Sequence, residues 1–212
     1  MNNDYISTGM ESSTATAVRG RPREFCVEDA LSAALRVFWS KGYEGASLND
    51  LTEAMGITRP SLYAAFGNKE ALFRKALDLY EREKLAYIGA ALEAPTARGV
   101  AERLLRGALE MQITGSDPKG CLGVINSVAC GAEAESIKAE VLLRRASSEA
   151  AMLERFKRAK AEGDFAEHIE PAGLVSYLTA LCQGLALQGG GGASPADLER
   201  LVETSLGLWP GK

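Results

Sequence analysis

Along most of this chain apolar residues recur three and four positions apart, the period that lays one stripe along a helix. Val27, Leu31, Leu35 and Phe38 mark a first helix, which Gly42 stops. Ser47 is placed to cap a second, with Asp50 near its positive end, Leu48, Leu51 and Met55 as its buried stripe and Gly56 as its stop. Thr58 caps a third, very short helix that carries Pro60 in its first turn, where a missing N–H costs little, and Gly67 terminates it. Asn68 caps a long fourth helix from Lys69 to about Leu92, closed by Pro95. The same period predicts helices over 97–113, 121–131, 134–162, 171–188 and 195–208, with breaks at 117–120, 163–164 and 189–192. Strand-like alternation and internal repeats are both missing. The expected class is all-α, about nine helices in 212 residues.

Composition changes this picture little. Nearly half the residues are hydrophobic and a quarter charged, as in an ordinary globular protein. The first 18 residues are polar, rich in Ser and Thr and aperiodic, and read as a flexible tail. The four cysteines, Cys26, Cys121, Cys130 and Cys182, form no CxxC pair, and no signal peptide precedes them, which points to a reduced, cytoplasmic chain. No apolar run approaches a membrane span. The net charge of −4 argues by itself against nucleic acid, because phosphate neutralisation needs lysine and arginine. A local basic patch would answer that objection. Arg19-Gly20-Arg21-Pro22-Arg23 supplies one as a short arm, with Arg21 and Arg23 as candidate DNA contacts.

Residues 47–69 carry the strongest functional signal. A helix of about two turns, a turn containing Gly56 and a second short helix make the helix-turn-helix outline. Leu62 and Phe66 lie one turn apart and can pack inward on Leu51, Met55 and Ile57. Pro60, Ser61, Tyr63 and Ala64 then face outward, and Arg59 reaches out from the first turn. Arginine suits guanine edges, while a hydroxyl and a phenol suit phosphates. Lys69 and the Asn68-capped helix end add a cation and free N–H groups, a phosphate site.

The run from Gly56 to Phe73, GITRPSLYAAFGNKEALF, resembles the signature of the TetR family of bacterial transcription regulators. Ala34, Phe38, Gly42-Tyr43 and Ser47-Leu48-x-x-Leu51 fit the family's preceding helices as well. The likeness is close over residues 20–75 and extends to the rest by helix layout. It implies a DNA-binding domain over 19–67 and a ligand-sensing and dimerisation domain over 68–212, with the helix at 69–92 shared. It implies phosphate contacts at Ser47, Tyr63 and Lys69 and a base-reading helix from Thr58 to Phe66. The implied partners are a palindromic double-stranded operator, a second copy of the chain and a small-molecule inducer, and repression is the family default. Many members carry histidine or another large polar residue where this chain has Ala65, which removes one phosphate contact.

The carboxy-terminal half is less explicit. Leu174, Leu178, Leu181 and Leu185, with Leu198, Leu201 and Leu208, give the last two helices apolar faces. Either face could be ordinary core. The family layout makes them a four-helix dimer interface with the partner's pair. Residues 120–131 resemble the sixth helix of a TetR subgroup. Cys121 and Cys130, nine positions apart, would point in opposite directions about 13.5 Å from each other on one helix. Cys121 follows Lys119 at an expected helix start, so it is a candidate sensor of oxidants or electrophiles, or else a small residue packed under a loop. Asn126, a polar group on an apolar helix, could orient a ligand or bond a neighbouring carbonyl. Ile137, Val141, Ser148, Met152 and Phe156 form a stripe that reads as core, and Arg144-Arg145 as a solvated face. His168 lacks spaced partners for a metal.

An enzyme is the rival class. HExxH, GxSxG and a P-loop are all missing, so no catalytic residue, metal or cofactor is expected. A helical adaptor without DNA binding is the other rival, and the basic arm, Tyr63 and Lys69 speak against it. Activation in place of repression, and redox signalling through Cys121, stay open as alternatives.

Overall fold

The computed structural model describes residues 26–128, 131 and 134–210. The polar tail, the arm with Arg21 and Arg23, and Cys130 lie outside the described residues. Those described form ten helices and no strand: α1 (Val27–Gly45), α2 (Leu48–Met55), α3 (Arg59–Phe66), α4 (Lys69–Lys84), α5 (Ala86–Leu92), α6 (Ala97–Ile113), α7 (Leu122–Val128), α8 (Glu135–Ala161), α9 (Pro171–Gly190) and α10 (Pro195–Gly207).

The punctuation of the head follows its sequence closely. Ser47 and Asp50 form a reciprocal capping box on α2, Thr58 accepts from Ser61 N on α3, and Asn68 accepts from Ala71 N on α4. Gly56 and Gly67 take positive φ at the two helix ends between. Gly42, expected to end the first helix, breaks it internally with φ 72° and ψ 173°, and one further turn closes through Ala46 N to Gly42 O. Leu62 and Phe66 pack with Leu51, Met55, Phe38, Trp39 and Phe73 in one core.

That core does not stop at the end of the helix-turn-helix. It takes in the buried face of α4 through Tyr80, together with Leu122 of α7 and Ile137 and Val141 of α8. A second core joins α5 and α6 to the later part of α8, α9 and α10.

The expected single helix over 69–92 is two. It breaks at Leu85, which has φ −101° and ψ 5°. Neither proline nor glycine stands there. The cause is packing, because α4 buries Leu72, Phe73, Leu77 and Tyr80 in the first core, whereas Ala91 of α5 belongs to the second. A straight rod could not serve both.

Candidate DNA-binding surface and ligand cavity

On the exposed side of α3, Thr58, Arg59, Pro60 and the two alanines Ala64 and Ala65 face outward, and Tyr63 is 47% exposed. Ser61 is half-buried, held against Thr58 with 3.0 Å between the two hydroxyl oxygens. Arg59 lies back along α2, donating from Nη2 to Asn49 Oδ1 at 2.7 Å. Asn49 is therefore an addition to the surface that no spacing rule pointed to. The Ser47 hydroxyl sits 2.8 Å from Asp50 Oδ2 within the capping box. Asp50 is also bound by Lys41 at 2.7 Å, and these hydrogen bonds, that from Lys41 foremost, pull its carboxyl pKa down to about 2.

Lys69 opens α4 with its ammonium 4.5 Å from the centre of the Tyr43 ring. Partial burial lowers its pKa, opposed by the nearby Glu44 carboxylate. A desolvated cation over an aromatic face is held in place and remains available to an anion from its open side. Ser47 thus opens the first helix of the pair, Tyr63 stands on the exposed side of the second, and Lys69 opens the helix that follows.

The head is tied to the body through α7. Gly42 breaks α1 just before the Tyr43 N–H. Asn126 Oδ1 accepts it at 2.8 Å, while Asn126 Nδ2 donates to Leu122 O at 2.8 Å. A side chain at Gly42 would meet Ile125 at 3.3 Å in a backbone conformation that favours glycine. Gly131 N adds a bond to Glu44 Oε2 at 2.7 Å. Asn126 is buried and belongs to this clasp, so its expected place as a ligand contact gives way to a structural one.

A ladder of ions joins α4 to α8. Glu70 bonds Arg74 at 2.9 Å, Arg74 bonds Glu140 at 2.6 Å, Glu140 bonds Arg144 at 2.8 Å, and Arg144 reaches Asp78 at 2.7 Å and Glu81 at 2.8 Å. Arg144, expected on a solvated face, is the hub of this ladder. Its guanidinium pKa is raised, because these carboxylates outweigh its partial burial.

Beneath the ladder lies a cavity of about 180 Å³, bounded by α4 to α9. Leu77, Tyr80, Tyr87, Met111, Cys121, Val124 and Cys182 are among its walls. Cys121 therefore does face a cavity. The setting expected of it is altered, since Lys119 Nζ is bound to Thr114 O at 2.9 Å and the following helix has only seven residues. No cluster of His, Cys, Asp and Glu suited to a metal occurs among the described residues.

Four of the leucines expected at a partner interface are corrected by their burial. Leu174, Leu178, Leu185 and Leu198 are 7%, 0%, 0% and 1% exposed within their own chain, so they have no surface left for a partner to cover. Leu181 and Leu201 are half-buried and Leu208 is exposed. On α9 the outward stripe is Gly173, Tyr177, Ala180, Gly184 and Leu187, opposite the buried one. The helix carries no charged residue from Pro171 to Gly190. Uncharged and with Tyr177 and Leu187 outward, this helix has apolar surface on both sides to cover.

The family described as bacterial regulatory proteins, tetR family, matches residues 30–76, the segment that holds this surface. Over 196 residues the chain is 34% identical to the HTH-type transcriptional repressor ComR of Escherichia coli (strain K12), covering 91% of this chain and 92% of that one. The chain belongs to the TetR family. A shorter match, 45% identical over 71 residues, covers 34% of this chain and 36% of the HTH-type transcriptional repressor BdcR of the same organism. Among solved structures, a cysteine mutant of the TetR family transcriptional regulator CifR, complexed with 26bp double-strand operator DNA, superimposes with a TM-score of 0.83. It is 39% identical, covering 90% of this chain and all of that one. As a TetR-family chain, this molecule follows its relatives over the body as well as the head, since both full-length matches cover about nine-tenths of it. Among the described residues no helix is long and apolar enough to cross a membrane.

Proposed function

We propose that the chain is a transcriptional repressor that binds operator DNA as a homodimer and leaves it when a small molecule occupies the cavity. The observation that carries this is the outward face of α3, where Arg59 and Tyr63 stand between the phosphate-binding positions Ser47 and Lys69. So short a reading helix requires two half-sites, and two-fold symmetry matches a palindrome. The uncharged α9, with Gly173, Tyr177, Ala180, Gly184 and Leu187 outward, is the face that a second copy covers. The chain regulates and does not catalyse, and it acts in the cytoplasm, where the chromosome lies.

Release runs through elements common to both ends. Lys69 and Tyr80 sit on one helix about 17 Å apart along its axis. The first faces DNA and the second the cavity. A ligand that spreads α4 from α8 displaces Lys69, and α7 transmits the same strain to the turn after Gly42 through Asn126. For release, the ligand must bind the non-DNA form more tightly than the DNA-bound form.

The test begins with capture of genomic fragments on the purified protein, followed by gel shifts on the enriched sequence. Arg59→Ala should cost about 1–3 kcal/mol at the correct site and relax preference at particular base pairs. Lys69→Ala should weaken binding to all duplexes alike and lower the salt slope by about one. If neither substitution alters operator binding at matched salt, α3 is not the reading helix.

A further inference from the structure

A chain with a net charge of −4 can grip DNA only if the cations of its binding surface are kept from its own carboxylates. The head meets this condition at Arg59 and Lys69, and the inference drawn from it rests on the reading of α3 as the helix that reads DNA.

Arg59 opens α3 and is exposed. The neighbouring α2 carries two carboxylates, Asp50 and Glu53. Among the described residues Arg59 pairs with neither and donates instead to the Asn49 amide oxygen at 2.7 Å. Asp50 is already occupied, by Lys41 at 2.7 Å and by the N–H and hydroxyl of Ser47 at 2.9 and 2.8 Å. An amide oxygen orients a guanidinium as a carboxylate does, but it leaves the positive charge whole. Both residues are exposed, so the oriented guanidinium stays on the outer face of the helix pair.

Lys69 is held in the same manner by different chemistry. Its ammonium lies 4.5 Å from the centre of the Tyr43 ring and closes no ion pair among the described residues. The nearby Glu44 carboxylate accepts a hydrogen bond from Gly131 N at 2.7 Å. Glu70, next along α4, is taken by Arg74 at 2.9 Å and by the Ser136 hydroxyl at 3.0 Å. The Tyr43 ring is itself fixed, edge-on to Phe73 with centres 5.3 Å apart and stacked on Phe38 at 6.3 Å. An aromatic face attracts an ammonium without neutralising it, so the lysine is positioned and its charge kept.

We propose that Asn49 and Tyr43 are positioning residues for DNA binding, neutral groups that aim Arg59 and Lys69 while Lys41, Gly131 and Arg74 hold the neighbouring carboxylates. Neither residue has to touch DNA. Asn49 acts through Arg59 and so bears on which sequence is preferred. Tyr43 acts through Lys69 and so bears on affinity for any duplex.

The test uses the full-length protein at matched salt, with the fragment enriched by genomic capture and a scrambled duplex of the same length. Asn49→Ala should weaken the captured fragment about two- to tenfold, and the scrambled duplex far less. With Arg59→Ala already in place, the same substitution should have no further effect. Asn49→Asp, which keeps an acceptor and adds a charge, should bind more weakly than Asn49→Ala. At position 43, phenylalanines carrying one, two and three fluorines drain negative charge from the ring face at nearly constant shape. Affinity should fall stepwise on both duplexes alike, about two- to fivefold over the series, and stay flat when Lys69 is replaced by alanine. In the free protein, the ring current of Tyr43 should shift the ε-methylene protons of Lys69 upfield. Additive losses in either pair of substitutions overturn the proposal, as does a Lys69 resonance without the ring shift. A wild-type protein that does not prefer the captured fragment would overturn the repressor reading and this inference with it. Preference that is present without the two couplings overturns this inference alone.

Discussion

The head and the body are both helical, yet they differ in how most of their helices are held in place. In the head, α2, α3 and α4 each open on a side-chain cap, from Ser47, Thr58 and Asn68, and glycines with positive φ close the first two. In the body, α6 and α10 have such caps, from Thr96 and Ser194, but α5, α8 and α9 open without one. They are held by packing and by long-range ties such as the ladder through Arg144 and the Asn126 clasp. The helix-turn-helix is thus specified largely by neighbours within one turn of chain. The body depends on contacts distant in sequence, and local order of that kind yields to a ligand more readily.

The sharpest way to break this comparison is to attack assembly, which the body supplies and the head's grip on two half-sites depends on. Gly184→Arg adds a side chain on the outward stripe of α9, where a Cβ would have no neighbour within 4 Å in the monomer. The chain should stay folded but sediment as a monomer. Its affinity for the operator should drop towards the non-specific level, about a thousandfold or more. A variant that still dimerises would place the interface elsewhere.

A smaller effect separates local from long-range support. Asn126→Ala leaves the Tyr43 N–H without its acceptor and should destabilise the fold by about 1–3 kcal/mol. Thr58→Ala, which removes a cap from the head, should cost about 1 kcal/mol. Both are read by urea denaturation. Only the first should also uncouple ligand binding from operator release, and equal loss of coupling in both would show that α7 is not the link.

The smallest effect concerns the ladder. Glu140 and Arg74 are partly exposed, so Glu140→Gln should change stability by only about 0–1 kcal/mol. It should instead shift the ligand concentration needed for release, because the bond it weakens holds α4 to α8. Titration of operator release against ligand checks this, and an unchanged midpoint would reduce the ladder to a surface feature.

The sequence by itself determined the class, the helix-turn-helix and its three capping residues, since those depend on neighbours within one turn of chain. It also determined which side of α3 faces out, because Leu62 and Phe66 leave no other choice. Tertiary structure decided the rest. The break at Leu85 comes from one segment serving two cores, and no residue near it signals a stop. Asn126 and Arg144 took their places from partners 83 and 63 residues away in Tyr43 and Glu81, a distance that periodicity cannot span. Leu174, Leu178 and Leu185, expected at an interface, are core, for an apolar face records that it must be covered and not by what. The cavity is likewise a property of six helices converging, so its walls could not be seen until they had met.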